Sequence, residues 1–384
     1  MRLSLPEKLV SLCILLSFLA LAIIVWCWTQ SGRDHGHAEH ILDTPRTLRT
    51  ILDAETSAGR IAQFESGAPV LIPTGVFIQS LVFQTSTNIN LTGYVWQEYP
   101  LDFPYRPGIN FPEQIASGDT VIEEQYRRQI EIDGEPRQLI GWYFDVTVRQ
   151  PFDYSHYPLD FLTVWLRIWP LDFDNSDRIL LVPDFDGYAD HTAPVKGLDR
   201  DIVTDEWQID ETFFSYQEIP YDTLFGYPFD HPGNPAETYY DLYFNLGVQR
   251  AFVNAFVVNL VPLVVVALLL FATVMMTSRD ETQSARFGFN TSGLIGTCSA
   301  LFFVVMLSHI QVRQLFPGSS LVYIEYFYLV MYGMILLTAL NGYLFSLISL
   351  RNLWLLHYRD NFVAKITFWP VLLCTLAVIS LLTL

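Results

Sequence analysis

Five stretches of this chain stay apolar long enough to cross a lipid bilayer: Leu9–Trp28, Ala251–Met276, Gly288–Val312, Leu321–Leu350 and Ile366–Leu384. A hydrocarbon layer of ~30 Å takes roughly 20 residues of helix, so each predicts a spanning helix. Between the first and second runs lies a block of opposite character. Residues 31–250 hold 35 of the 40 acidic and 14 of the 22 basic side chains, an excess of 21 negative charges in a chain whose net charge is −18. This partition predicts an acidic water-soluble domain joined to a membrane domain. Such a charge excludes a nucleic-acid partner, which needs a basic face to track phosphates. An aromatic content of 15% with only 16% charged residues excludes a disordered chain.

Positive charge sets the sides. Arg2 and Lys8 precede the first run, Arg279 and Arg286 separate the second from the third, and Arg351, Arg359 and Lys365 separate the fourth from the fifth. All three groups fall in the cytoplasm by the positive-inside rule. The acidic block, the Arg313–Ser320 connection and the C-terminus then lie outside, so the expected location is the cell membrane, multi-pass. The first run is read as an uncleaved signal anchor rather than a removed signal peptide, because its bulky Val25-Trp26-Cys27-Trp28 end offers no small-residue cleavage site. Cys13, Cys27, Cys298 and Cys374 all lie in apolar runs, so the acidic block has neither a disulfide framework nor a Cys-based zinc site.

The domain boundaries expected are 1–30 for the anchor, 31–69 for a linker or helical segment, 70–250 for the soluble domain and 251–384 for four membrane helices. Within 70–250, Val70–Thr87, Asn88–Glu98, Leu139–Val148, Leu162–Trp169, Glu206–Tyr216 and Thr238–Arg250 alternate apolar and polar residues. Many short alternating strands between turn clusters predict an all-β, immunoglobulin-like sandwich above an α-helical bundle. Catalytic signatures are missing: there is no nucleophile elbow, zincin motif, phosphate loop or calcium loop. The expectation is a non-enzyme with no cofactor and no metal.

The third run differs from the rest. Asn290, Thr297, Leu301, Val304, Ser308 and Gln311 form one helical stripe. Polar groups on a spanning helix must face protein or water, because lipid cannot satisfy them. They either bond back to their own helix and its neighbours or line a wet conduit shared by several copies.

The segment from Gln150 to Asp160 is the most specific in the chain, with Tyr157-Pro158-Leu159-Asp160 at its core. It resembles the signature loop of pentameric ligand-gated ion channels, the Cys-loop receptor superfamily, whose core is aromatic-Pro-x-Asp. The flanking cysteines of animal members would fall near Gln150 and Val164, so the chain is similar to prokaryotic members without the disulfide. Further matches follow in family order. Tyr105-Arg106-Pro107 looks like an early binding loop. Leu242–Arg250 is similar to the last strand, Pro262 sits within the next helix, and Arg313–Pro317 followed by Tyr323–Glu325 resembles the outer loop between two pore-domain helices.

The resemblance covers roughly residues 70–384; the first helix has no counterpart in it. It implies a homopentamer in the lipid bilayer, conducting monovalent ions when a small-molecule or ion ligand (an amine, protons or a divalent cation) binds between neighbouring sandwiches. Aromatic candidates for that pocket are Tyr94, Trp96, Tyr105, Trp169, Tyr216, Phe225, Tyr227, Tyr239 and Tyr240. The pore is expected along Asn290, Thr297, Leu301, Val304 and Ser308. A gapless count back from Pro317 instead gives Gly296, Ala300, Phe303, Leu307 and Ile310. Coupling is expected through Tyr157, Pro158, Asp160, Arg250, Arg313 and Pro317, with Asp160 beside Arg250. The acidic outer domain leans the selectivity toward cations, Arg313 opposes that, and the sign of the permeant ion stays open. The alternative is a sensor of the same fold that does not conduct.

Overall fold

In a computed structural model, residues 5–30, 40–57, 69–115, 118–132, 134–204, 206–219, 223, 226, 240–278, 290–346 and 360–384 are described. They divide into two units. One comprises Met1–Gly32, Asp153–Asp160 and Ala251–Leu384; the other comprises Arg33–Phe152 and Phe161–Arg250.

The second unit contains two five-stranded sheets. Strands β1 (His40–Leu42), β9 (Trp207–Glu218), β10 (Tyr240–Arg250), β7 (Phe161–Pro170) and β4 (Ile109–Asn110) form one, in that order. The other runs β5 (Val121–Ile132), β6 (Glu135–Arg149), β3 (Asn88–Pro100), β2 (Val70–Phe83) and β8 (Ile179–Pro183). Every pairing is antiparallel except β2 with β8. The two sheets share one apolar core. The Tyr216 hydroxyl of β9 donates to the Leu181 carbonyl of β8 at 2.7 Å, and Trp207 of β9 stacks on Phe83 of β2 at 4.6 Å.

The alternation in β3 follows from period-2 geometry: Ile89, Leu91, Gly93, Val95, Gln97 and Tyr99 are buried and the residues that alternate with them are not. Strand β2 changes phase halfway. Its pairing with β3 slips between Ile78 and Ser80, so Leu81 is buried while Val82 is exposed. A bulge adds a residue on one strand and swaps the faces beyond it.

Within 31–69, β1 adds to the edge of β9 and is followed by helix α2 (Pro45–Ser57). Helix α1 (Leu5–Gln30) packs along the last membrane helix and belongs to the membrane unit.

Among the described residues that unit holds five helices long and apolar enough to cross a membrane, which makes the chain a membrane protein. They are α1, α3 (Phe252–Met276), α4 (Thr291–Leu315), α5 (Tyr323–Ser346) and α6 (Phe362–Thr383). Helix α4 lies against α5 and α3, whereas α1 lies against α6. Helices α4 and α5 come close at Gly342, where an added Cβ would sit 2.4 Å from Leu294; small residues let membrane helices come together. At the opposite side of the bundle, Trp28 donates its indole N–H to the Tyr323 hydroxyl at 2.8 Å, which lies 2.6 Å from the Ser380 hydroxyl. This chain of polar groups ties α1, α5 and α6 at one end, where each group would otherwise face hydrocarbon unpaired.

Candidate functional site

Residues 153–160 form a loop that folds with the membrane helices. The Ser155 and Tyr157 carbonyls accept the Tyr323 and Ile324 amides at 2.7 and 3.2 Å, and so serve the first turn of α5, whose N–H groups have no partner within the helix. Tyr154 and Tyr157 close on Phe316, the residue after α4, with ring centroids at 4.7 and 4.8 Å. Helix α3 supplies a third attachment: Asn259 donates through Nδ2 to the Tyr157 hydroxyl at 3.0 Å and to the Ala255 carbonyl at 3.0 Å. Three helices therefore meet one aromatic loop. Tyr157, Asn259 and Phe316 are all buried.

Asn259 sits in a π-helical turn, Phe256–Leu260, immediately before Pro262. Proline cannot donate to the preceding turn, and π turns concentrate at functional places. The sequence reading singled out Pro262 and missed Asn259; an asparagine three residues before a proline in an otherwise apolar run was the available signal.

The loop's base is clasped in the other unit. The Gln150 side-chain amide donates to the Trp165 carbonyl, and its oxygen accepts the Trp165 amide at 3.2 Å. Gln150, 1% exposed, thus bridges the ends of the loop with two hydrogen bonds.

Asp160 is buried in the membrane unit. Arg250, in the β-sheet unit, bonds Glu206 and lies 4.2 Å over the Trp207 ring. Pro317 is exposed in the turn that ends at Gly318, where a positive φ of 83° requires glycine. Arg313 spans that turn. It reaches the Ser319 and Ser320 carbonyls at 2.9 and 3.1 Å and the Glu325 carboxylate at 3.2 Å. Glu325, 1% exposed, also faces His309 at 3.3 Å. The Arg313 charge is therefore matched by Glu325 on the α5 side of α4.

The residues that α4 buries are Leu294, Cys298, Leu301, Val305 and Val312. At about 100° per residue the opposite face carries Gly296, Ala300, Phe303, Leu307 and Ile310, the register counted back from Pro317. Phe303 and Leu307 are 57% and 60% exposed, against 7% for Leu301. Leu301 is thus a packing residue, whereas Asn290, Thr297, Val304 and Gln311 of the same stripe are exposed. Asn290 caps the helix by accepting the Gly293 amide, and Thr297 bonds back to the Gly293 carbonyl at 3.0 Å. Val304 and Ser308 sit on the shoulder of the free face, exposed and half-buried.

Among the described residues the aromatic candidates lie on both sheets, and Tyr216 and Tyr240 are in contact. Tyr94 pairs across strands with Tyr143. Trp96 donates to Asp184 at 2.6 Å and packs on Tyr188. Tyr105 continues a row through Phe103 and Tyr99. Tyr216 is a core residue, 1% exposed with its hydroxyl already bonded, and so offers no ligand surface. Tyr240 meets Tyr216 and His40. Phe225, Tyr227 and Tyr239 lie outside the described residues.

Trp169 has company the sequence did not announce. The Arg167 guanidinium lies 5.2 Å from its ring and 5.9 Å from that of Tyr243. It pairs with Glu113, and with Asp241 at 3.3 Å. Two carboxylates share one guanidinium, and burial, ahead of the opposing pull of Arg167, pushes the Glu113 carboxyl above the usual range. Comparison of the chain with protein-family models and with curated proteins gives no match to either.

Proposed function

We propose that five copies of this chain form a ligand-gated ion channel, with the sandwich outside the cytoplasm and α4 around a central conduit. Ligand bound between neighbouring sandwiches favours the conducting state by binding it more tightly. The observation that most supports this reading is the docking of the 153–160 loop onto Phe316, α5 and Asn259. A loop rooted in two β-strands is fastened to the residue that ends α4, so strand motion has a short packed path to that helix. Coupling of this kind requires a packed element with two arrangements.

One observation favours the second reading, a sensor that does not conduct. The free face of α4 is apolar at Phe303, Leu307 and Ile310, and rings of such side chains close a pore by dewetting. In a channel that ring is the gate; in a sensor it is a permanent seal. Liposome recording with amines, protons and divalent cations separates them. The channel reading expects ligand-evoked current in wild type and standing current in Leu307→Thr. A pentamer silent in both is the sensor.

A further inference from the structure

Near its C-terminal end, α1 touches the first residue of two other membrane helices. The Trp28 ring lies 5.6 Å from that of Phe252, which opens α3 and is separated from the last residue of β10, Arg250, by Ala251 alone. The Trp28 N–H donates at 2.8 Å to the hydroxyl of Tyr323, which opens α5.

The hydrogens of this polar chain run one way. Ser380 has a single hydroxyl hydrogen and gives it to the Leu376 carbonyl at 2.9 Å. The Tyr323 hydroxyl, 2.6 Å from Ser380, therefore donates to it, and the Tyr323 oxygen is left to accept from Trp28. Bonds aligned in this way polarise one another in a dry surrounding, and Tyr323 and Ser380 are 1% and 0% exposed. Among the described residues, Trp28 alone supplies the donor that the Tyr323 oxygen needs.

Tyr323 is also where the 153–160 loop docks. Its amide is the one bonded to the Ser155 carbonyl at 2.7 Å, and the next amide, that of Ile324, goes to the Tyr157 carbonyl at 3.2 Å. A single residue thus receives the loop through its backbone and α1 through its side chain. Beyond Gln30, where α1 ends, the chain continues to β1, which pairs with β9.

We propose that α1 is a regulatory helix: Trp28 positions the starts of α3 and α5 and so sets how firmly the 153–160 loop is held on α5. The docking part stands whether or not the protein conducts; its effect on the open state rests on the channel reading.

The test measures two quantities on the full chain in lipid: amide hydrogen exchange over residues 322–326, and standing current in the Leu307→Thr background. Trp28→Phe keeps a ring against Phe252 and removes only the donor. It should quicken exchange at Tyr323 and Ile324 about fivefold, the scale of one hydrogen bond between membrane helices, and leave the middle of α5 unchanged. The standing current should shift by a similar factor. Trp26→Phe, which alters an indole 57% exposed, should leave both quantities as they were. Unchanged exchange at Tyr323 and Ile324 overturns the proposal. So does exchange that quickens throughout α5 and α6, since that marks general loosening of the bundle. Quickened exchange with unaltered current reveals a brace without regulatory effect, and overturns it as well. Silence of Leu307→Thr itself refutes the channel reading instead, and exchange alone then decides whether Trp28 positions the loop.

Discussion

Replacing Tyr157 by Phe removes a single oxygen from the place where the 153–160 loop meets α3. That oxygen accepts one amide hydrogen of Asn259 at 3.0 Å, while the amide's other hydrogen goes to the Ala255 carbonyl. Both residues are buried, so water does not take over the lost partner. An unsatisfied buried donor costs about 1–3 kcal/mol in water-soluble proteins. Hydrogen bonds between membrane helices average about 0.6 and reach about 1.7 kcal/mol. A coupling of about 1 kcal/mol between the two side chains follows. It can be measured as a double-mutant cycle of Tyr157→Phe and Asn259→Leu, by equilibrium unfolding in mixed micelles followed by tryptophan emission. Each single variant should be destabilised, and the double variant should be less destabilised than the sum by about 1 kcal/mol. Additivity within about 0.3 kcal/mol would refute the bond as a linkage between loop and helix, since independent sites add to within that margin.

Two further outcomes concern the sandwich. Burial, reinforced by the nearby Asp184 and Asp186 and opposed by Arg137, pushes the Glu98 carboxyl up to about 7. Below its unfolded value the group is neutral in both states. Between the two values only the folded chain keeps the proton, so stability falls as the pH rises toward 7 and stays lowered above it. With solvent screening the effect is on the order of 1 kcal/mol; a urea midpoint that rises from pH 8 to pH 5, and rises less in Glu98→Gln, is the expected result. Gln150→Leu should cost about 1–3 kcal/mol by leaving the Trp165 backbone groups unpaired, and amide hydrogen exchange at Trp165 should quicken.

Most of the membrane segments were legible because twenty apolar residues have few other uses. The central strands were legible for a related reason: β3 has one buried and one open face, which writes period 2 into the sequence. Strand β5 was not. Its Val-Ile-Glu-Glu-Gln-Tyr-Arg-Arg-Gln-Ile-Glu-Ile run is mostly exposed, as suits an edge strand that charges protect from further pairing. The three-residue β1 carries too little pattern to register and exists because β9 offers it an edge. On α4 polarity alone did not mark one side, because a hydroxyl and an asparagine satisfy their own helix, and bulky apolar residues occupy the face opposite the buried one. Arg313 and Glu325, thirteen positions inclusive along the chain, gave no sign that they would pair across a turn. Asn259 and Arg167 were hidden similarly: their partners Tyr157 and Glu113 are distant in sequence, and only the fold brings them together.

The claim on which the channel reading rests is that the Phe303–Leu307 face of α4 borders water in an assembly of identical chains. Single cysteines at 296–312, in a background with Cys298 and the other native thiols replaced, can be exposed to a small charged thiol reagent in liposomes with and without ligand. The account predicts reaction at 300, 303, 307 and 310, with protection at 301, 305 and 312. Protection of all of the first four in every condition, or reaction centred on 301 and 305, would contradict it.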